Sequence, residues 1–242
     1  MTISIALTGA SGRMGELITQ LIHDTDGLEL HSSLTSQSQL DEMLGADVLI
    51  DVTNIEASAA AVRFAVNNGI NAVVGTSGWN AERIAALETE LPAERGVLIV
   101  PNFSVGSVLG TYLATIAGRF FESIEIIEAH HDAKIDSPSG TAVRTAEAIV
   151  AARGSEPVPP HPEQTARGEV IDGVPVHSLR LRGVVADQRV IFGGAGETLE
   201  VRHETFSQDA YAHGILLALR AAPELRGVTV GLDALLGVGE RA

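Results

Sequence analysis

The sequence predicts an α/β chain in two parts. A parallel sheet covered by helices on both faces comes first, and an α+β domain with a mixed or antiparallel sheet follows. Three observations predict it. Strand-like and helix-like segments alternate through the first third of the chain. The run DVLIDV at residues 47–52 is nearly all apolar, as in a strand buried on both faces. After Pro101 the alternation gives way to long helical segments and then a series of strands.

The elements justify themselves in order. Residues 3–7 form a short apolar run that stops before Gly9, a strand and then a turn. Met14, Leu17, Ile18, Leu21 and Ile22 recur at helical spacing and predict a helix over 13–23. Residues 28–34 read as a second strand and 47–52 as a third. A helix over 56–68 stops at Gly69. A strand at 72–75, a helix at 81–91 and a strand at 97–100 complete the βαβ repetition.

Beyond Pro101, a helix is predicted over 108–121, a strand over 123–131 and an amphipathic helix over 141–153. The proline-rich stretch 154–173 holds few large apolar residues and reads as a long surface loop. Residues 176–185, 188–192 and 198–203 read as successive antiparallel strands joined by turns at 185–187 and 193–196. A helix over 207–221 and a strand at 228–230 are expected to return to the first domain. The predicted domains are residues 1–103 with 214–242, and residues 104–213.

Composition narrows the function. At roughly 150 residues per domain, 242 residues suit two modest domains or one large one. Lys and Arg total 16 against 31 Asp and Glu, a formal charge of −15. That sign argues against a nucleic-acid or anionic-membrane partner and leaves room for a small anionic ligand held by local groups. Cysteine is absent, which removes disulfides, thiolate nucleophiles and iron–sulfur clusters and fits a cytoplasmic protein. The N-terminal residues lack the pattern of a signal peptide, and no 18-residue apolar run suggests a membrane span. No ligand spacing suggests a metal.

Two motifs carry chemistry. The first is Gly9-Ala10-Ser11-Gly12-Arg13-Met14-Gly15, directly after a strand and opening a helix. Glycines there allow a tight turn, close backbone approach to a pyrophosphate and tight helix–strand packing, while the helix start attracts phosphate. The motif makes the first domain Rossmann-like, although its spacing is GxxGxxG. A carboxylate at the end of the second strand usually bonds the ribose 2′-hydroxyl of NAD. Here that place reads Leu34-Thr35-Ser36-Gln37-Ser38. Without a carboxylate nothing repels a 2′-phosphate, and Arg13 supplies a charge, which favours NADPH while leaving NADH open. Gly75-Thr76-Ser77 and Pro101-Asn102-Phe103 also follow parallel strands, where ligands sit in this architecture.

The second motif is Glu128-Ala-His130-His131-Asp-Ala-Lys134-Ile-Asp136-Ser-Pro138-Ser139-Gly140-Thr141. Ser139, Gly140 and Thr141 precede a helix whose first N–H groups can bind an anion. Lys134 adds a point charge, and His130 and His131 offer a proton donor and a carboxylate contact. Neighbouring strand residues face opposite ways, so both histidines serve one site only if the strand ends there. A solvated strand end followed by an ordinary helix cap is the plainer reading of the same residues.

Together with VVGTSG at Val73, PNFSVG at Pro101 and FGGAGETLEVRH at Phe192, these motifs resemble the dihydrodipicolinate reductase family over essentially the whole chain. The resemblance implies NADPH- or NADH-dependent reduction of 4-hydroxy-tetrahydrodipicolinate in diaminopimelate and lysine biosynthesis. It implies that Gly9, Ala10, Ser11, Gly12, Arg13 and Met14 hold the pyrophosphate, with Thr35 at the ribose. Gly75, Thr76, Ser77, Val100, Pro101, Asn102 and Phe103 would line the nicotinamide side. His130 would exchange a proton and Lys134 would donate one, while His131, Ser139, Gly140 and Thr141 would bind a dicarboxylate substrate. It further implies a cytoplasmic homotetramer formed through the second domain. The chain departs from the family pattern at Ala133, Thr35, Val52 and Asn54. Another oxidoreductase of the same architecture, or a redox sensor, are the competing readings.

Overall fold

The computed structural model describes residues 2–238. Residue 1 and residues 239–242, which the sequence assigns to the first domain, lie outside the described residues. The chain divides into two units, Met1–Val105 with Tyr211–Ala242, and Gly106–Ala210. Chain order runs β1 (Ile3–Thr8), α1 (Arg13–His23), β2 (Leu28–Leu34), β3 (Val48–Asp51), α2 (Ile55–Asn67), β4 (Asn71–Val74), α3 (Ala81–Glu90) and β5 (Gly96–Ile99). It continues through α4 (Val105–Ala117), β6 (Ser123–His130), α5 (Gly140–Arg153), β7 (Glu169–Ile171), β8 (Val174–Arg180), β9 (Ala186–Gly194) and β10 (Glu197–Thr205). α6 (Ala212–Ala221) and β11 (Gly227–Val230) follow. Among the described residues, no helix is long and apolar enough to cross a membrane.

The first unit holds six parallel strands in the order β11-β5-β4-β3-β1-β2. Every residue of β3, β4 and β5 is buried, which explains their mostly apolar runs, broken only by the hydrogen-bonded Asp51 and Asn71. Leu49, Val74 and Val97 of the sheet pack with Ala61, Val62 and Ala65 of α2 and Leu87 of α3. Asn71 locks the returning C-terminal segment: its Nδ2 donates to Ala222 O at 2.8 Å, and its Oδ1 accepts from Gly96 N at 3.0 Å. The chain proceeds outward from β1 to β2, then reverses to β3 on the other side of β1. This switch point places Thr8 opposite Asp51 at the carboxyl ends of both strands. Open parallel sheets bind ligands in the crevice at such a point.

The second unit is a five-stranded mixed sheet in the order β10-β9-β6-β8-β7. Ile124, Ile126, Val174, Val176, Val190 and Phe192 pack against Ala114 and Ala117 of α4 and Ala142, Ala146 and Ile149 of α5. The alternate residues of β6, Glu125 and Ile127, point to the other face of the sheet.

The structure corrects several expected elements. Residues 176–185 and 188–192 do not pair, because β6 lies between them, parallel to β8 and antiparallel to β9. β8 takes its register from β6, with Val176 beside Ile126 and Arg180 beside His130, and it ends at Arg180. That pairing spans about fifty residues, so no local turn signal announces it. The expected loop over 154–173 contains a 3₁₀ turn, Thr165–Arg167, and the strand β7. Ile171 pairs with Val174 across a two-residue loop, with φ of +48° at Asp172 and +80° at Gly173. This is the type I′ hairpin that Asp-Gly favours. α4 spans Val105–Ala117 rather than 108–121, and a 3₁₀ turn, Gln208–Tyr211, replaces the start of the last helix.

Candidate active site

Four loops at the carboxyl ends of the parallel strands, after β1, β2, β4 and β5, carry the expected dinucleotide residues. Gly9 has a φ of +85°, and a Cβ there would stand 2.5 Å from Val52 O. A Cβ on Gly15 would stand 2.2 Å from Gly9 O. Both positions therefore require glycine. Gly12 occupies the N-cap of α1 and offers no side-chain cap. The N–H groups of Arg13, Met14 and Gly15 thus open the helix without an intrahelical acceptor, an arrangement suited to phosphate. Ala10 and Ser11 form the turn between. Gly9 N and Ala10 N donate to Leu34 O at 3.1 and 3.4 Å, which ties the glycine loop to the end of β2 beside Thr35. Thr35 is exposed, and its hydroxyl accepts from Gln37 N at 3.3 Å, leaving its own hydrogen free to donate outward.

Gly75 sits against Phe103: a Cβ there would meet the Phe103 ring at 2.6 Å. This brings the 75–77 and 100–103 loops together. Val100 and Phe103 are buried, so any contribution to a ligand comes from their backbone. Ser77 and Pro101 are exposed, and Asn102 Oδ1 accepts from Ser104 N at 2.9 Å. Thr76 is buried, and its hydroxyl donates to Asp51 Oδ2 at 2.6 Å. These features fit a dinucleotide: a helix start open to phosphate, glycines where backbone must approach, and neighbouring loops on one sheet end.

The second unit assembles the histidine–lysine motif around a carboxylate the sequence reading had not assigned a role. Glu128 is fully buried. Its Oε2 faces His130 Nδ1 at 2.5 Å and accepts from Arg180 Nη1 at 3.0 Å, while its Oε1 accepts from Arg180 Nη2 at 2.9 Å. Its Oε1 also accepts from Ser139 N at 3.2 Å, joining the strand end to the start of α5. Burial works to raise the Glu128 pKa, but hydrogen bonds from His130, Arg180 and Ser178 prevail and hold it at about 2. An ionised carboxylate only accepts, so Nδ1 of His130 carries a hydrogen and Nε2 is the nitrogen turned away from Glu128.

β6 ends at His130, which meets the condition for both histidines to serve one site. His131 O accepts from Lys134 N at 3.1 Å in the turn that follows. Lys134 Nζ is held by both oxygens of Asp136 at 2.7 Å, and Arg180 donates to Asp136 O at 2.6 Å. The Lys134 hydrogen bond keeps the Asp136 carboxyl below its usual range. His130, Glu128, Arg180, Asp136 and Lys134 therefore form one connected chain. Ser139 Oγ accepts from Ala142 N at 3.2 Å as the N-cap of α5, which shapes the helix start and leaves the hydroxyl hydrogen to donate. Gly140 and Thr141 present the N–H groups. A Cβ on Gly140 would meet no protein atom within 4 Å, so packing does not demand glycine there.

The family described as dihydrodipicolinate reductase, N-terminus, matches residues 3–103, and the dihydrodipicolinate reductase C-terminus matches residues 106–236. The chain belongs to the dihydrodipicolinate reductase family. A 4-hydroxy-tetrahydrodipicolinate reductase of Clavibacter sepedonicus is 55% identical, over 100% of this chain and 90% of that protein. One from Mycobacterium sp. (strain KMS) is 43% identical, over 96% and 98%. The dipicolinate-bound dihydrodipicolinate reductase from Paenisporosarcina sp. TG-14 superposes with a TM-score of 0.83 at 28% identity, over 97% and 99% of the two chains. Membership makes the chain an oxidoreductase with a nucleotide-binding first domain.

Glu128 and Arg180 are the functional candidates that sequence reasoning passed over. Glu128 stands two residues before His130, on the same strand face, and that spacing was a usable signal. Arg180 reaches it only through the β6–β8 pairing.

Proposed function

We propose that this chain reduces 4-hydroxy-tetrahydrodipicolinate to tetrahydrodipicolinate with NADPH or NADH, in diaminopimelate and lysine biosynthesis. Family membership supports the reaction, and the network joining His130, Glu128, Arg180, Asp136 and Lys134 carries the assignment of its residues. In the net reaction the substrate's 4-hydroxyl leaves as water, one hydride takes its place, and one proton is consumed. Bound reduced nicotinamide supplies the hydride. Every other requirement falls to side chains and backbone.

The first unit serves as the dinucleotide platform, through Gly9–Met14, Thr35, Gly75–Ser77 and Val100–Phe103. The second holds the substrate. His131 and the Gly140 and Thr141 N–H groups bind its carboxylates, assisted by the positive end of α5. Lys134 gives the one proton that leaves with the 4-hydroxyl as water. His130 takes a ring proton as that bond breaks and returns it as negative charge develops on hydride arrival, so one proton is consumed overall. Positioned acid–base groups are worth about 10²–10⁴-fold. Glu128 fixes the His130 tautomer, and Asp136 fixes the reach of Lys134. A protein of charge −15 repels a dianion at long range, so these local groups must hold it.

NADPH is the favoured coenzyme, with NADH also accepted, because Thr35 and Ser36 stand where a carboxylate would select NADH. The protein is proposed to be cytoplasmic and to assemble as a homotetramer through the face of the second sheet that bears Glu125 and Ile127, opposite its helices. Sedimentation velocity reads the assembly. The reaction is tested by offering freshly generated 4-hydroxy-tetrahydrodipicolinate with NADPH and NADH separately and following loss of the reduced nicotinamide. Rapid turnover is expected. A folded protein that binds the dinucleotides yet turns over neither would overturn the proposal.

A further inference from the structure

The Asp51 side chain is fully buried at the switch point of the parallel sheet, and its partners are unusual. Oδ1 accepts from Thr8 Oγ1 at 2.7 Å and from Thr53 Oγ1 at 2.6 Å. Oδ2 accepts from Thr76 Oγ1 at 2.6 Å. Each of these donors is a neutral hydroxyl. The distances lie in the short range typical of hydroxyls donating to a carboxylate anion. Thr76 Oγ1 in turn accepts from Thr53 N at 2.7 Å, which directs its hydrogen to Asp51. The Asp51 backbone carbonyl accepts from Gly75 N at 2.8 Å. One negative charge thus ties together the carboxyl ends of β1, β3 and β4, in the loops that carry Gly9 and Gly75.

Burying a charge without a cation costs stability that a neutral residue of similar shape would not. Structure alone gives no reason to keep it there. The chemistry of the coenzyme does: an oxidised nicotinamide ring carries a positive charge that the reduced ring lacks. We propose that Asp51 is an electrostatic positioning residue that favours oxidised over reduced nicotinamide at the Gly75–Ser77 loop. It would thereby lower the barrier to hydride donation. This rests on the reading that Gly75, Thr76 and Ser77 border the nicotinamide.

The test is equilibrium binding rather than turnover. Asp51→Asn removes the charge and keeps the shape. Affinities for NADP⁺, NADPH and 2′-phospho-ADP-ribose, which has no nicotinamide, are measured by calorimetry on folded wild-type and variant protein. The variant is expected to weaken NADP⁺ relative to NADPH by roughly five- to twentyfold, the scale of one unit charge acting across a layer or two of protein atoms. 2′-Phospho-ADP-ribose binding should stay within about twofold of wild type. Equal weakening of NADP⁺ and NADPH would make Asp51 a purely structural tie and overturn the proposal, as would an unchanged ratio. Weakening of 2′-phospho-ADP-ribose as large as that of NADP⁺ would also overturn it, by placing the effect away from the nicotinamide. Failure of wild-type protein to bind any of the three would instead sink the dinucleotide reading beneath it. Asp51→Ser carries the same expectations and serves where Asp51→Asn does not fold. Thr76→Val, which keeps the charge, should weaken NADP⁺ and NADPH alike and leave their ratio unchanged.

Discussion

Nδ1 of His130 stands 2.5 Å from Oε2 of Glu128, a carboxylate that is wholly buried and also gripped by Arg180. The pair occupies one face of β6 at its last turn of register, so the imidazole is aimed by the strand itself. Arg180 balances the charge of Glu128, and Ser139 N links it to the start of α5. The proposed proton donor and the proposed substrate cradle therefore share one anchor.

Replacing that anchor should cost both stability and turnover. Glu128→Gln leaves Arg180 without its buried counter-charge and His130 without an anionic partner. Stability should fall by about 3 kcal/mol, the lower end of the range for breaking a buried ion pair. Turnover should fall about tenfold or more while coenzyme affinity is retained. Urea unfolding and steady-state kinetics check the two halves.

The same carboxylate sets an acid limit. Its pKa lies at about 2 in the folded protein against an ordinary 4.5. The folded state binds the proton less readily than the unfolded state. Its contribution is thus full above pH 4.5, declines as pH falls, and is gone once the pH is below about 2. A shift of this size corresponds to about 3 kcal/mol. Chemical denaturation from pH 6 down to pH 3 should show wild type losing stability faster than Glu128→Gln.

Gly140 should matter to the ligand and not to the fold. A Cβ there touches no protein atom within 4 Å, so Gly140→Ala should leave the melting temperature unchanged or slightly raised. The methyl would crowd the N–H groups proposed to hold a substrate carboxylate. KM for the substrate should rise about tenfold with KM for the coenzyme unchanged. Calorimetric melting and steady-state kinetics read the two effects.

Coenzyme choice should respond to one residue. Thr35 follows Leu34, whose carbonyl holds the glycine loop, and its hydroxyl hydrogen is available. Thr35→Asp places a carboxylate where it accepts from a ribose 2′-hydroxyl and repels a 2′-phosphate. The ratio of kcat/KM for NADH over NADPH should increase about tenfold or more. An unchanged ratio would move the selectivity elsewhere.

Much of this was legible in the residues. The four-residue buried strands announced themselves through their mostly apolar runs, and the glycine loop through its place between a strand and a helix. The motif from Glu128 to Thr141 marked the candidate site, because all but one member of the hydrogen-bonded network lies within that short segment. Three things were hidden, each for a reason. The β6–β8 pairing, and with it Arg180, is non-local and leaves no periodic trace. The Asp172-Gly173 hairpin was a readable signal obscured by the prolines upstream. Asp51 looked like one more residue of a buried strand, because only the sheet brings Thr8 and Thr76 to it.

The central claim is that His130 exchanges and Lys134 donates a proton during reduction of a substrate bound beside them. Its most direct test is a single-turnover experiment. Wild type, His130→Ala and Lys134→Ala are each preloaded with NADPH and mixed with 4-hydroxy-tetrahydrodipicolinate, and decay of the reduced nicotinamide is timed. The account predicts decay slowed about 10²–10⁴-fold in each variant, with NADPH affinity within about twofold of wild type. Decay at near wild-type rates in both variants would contradict it.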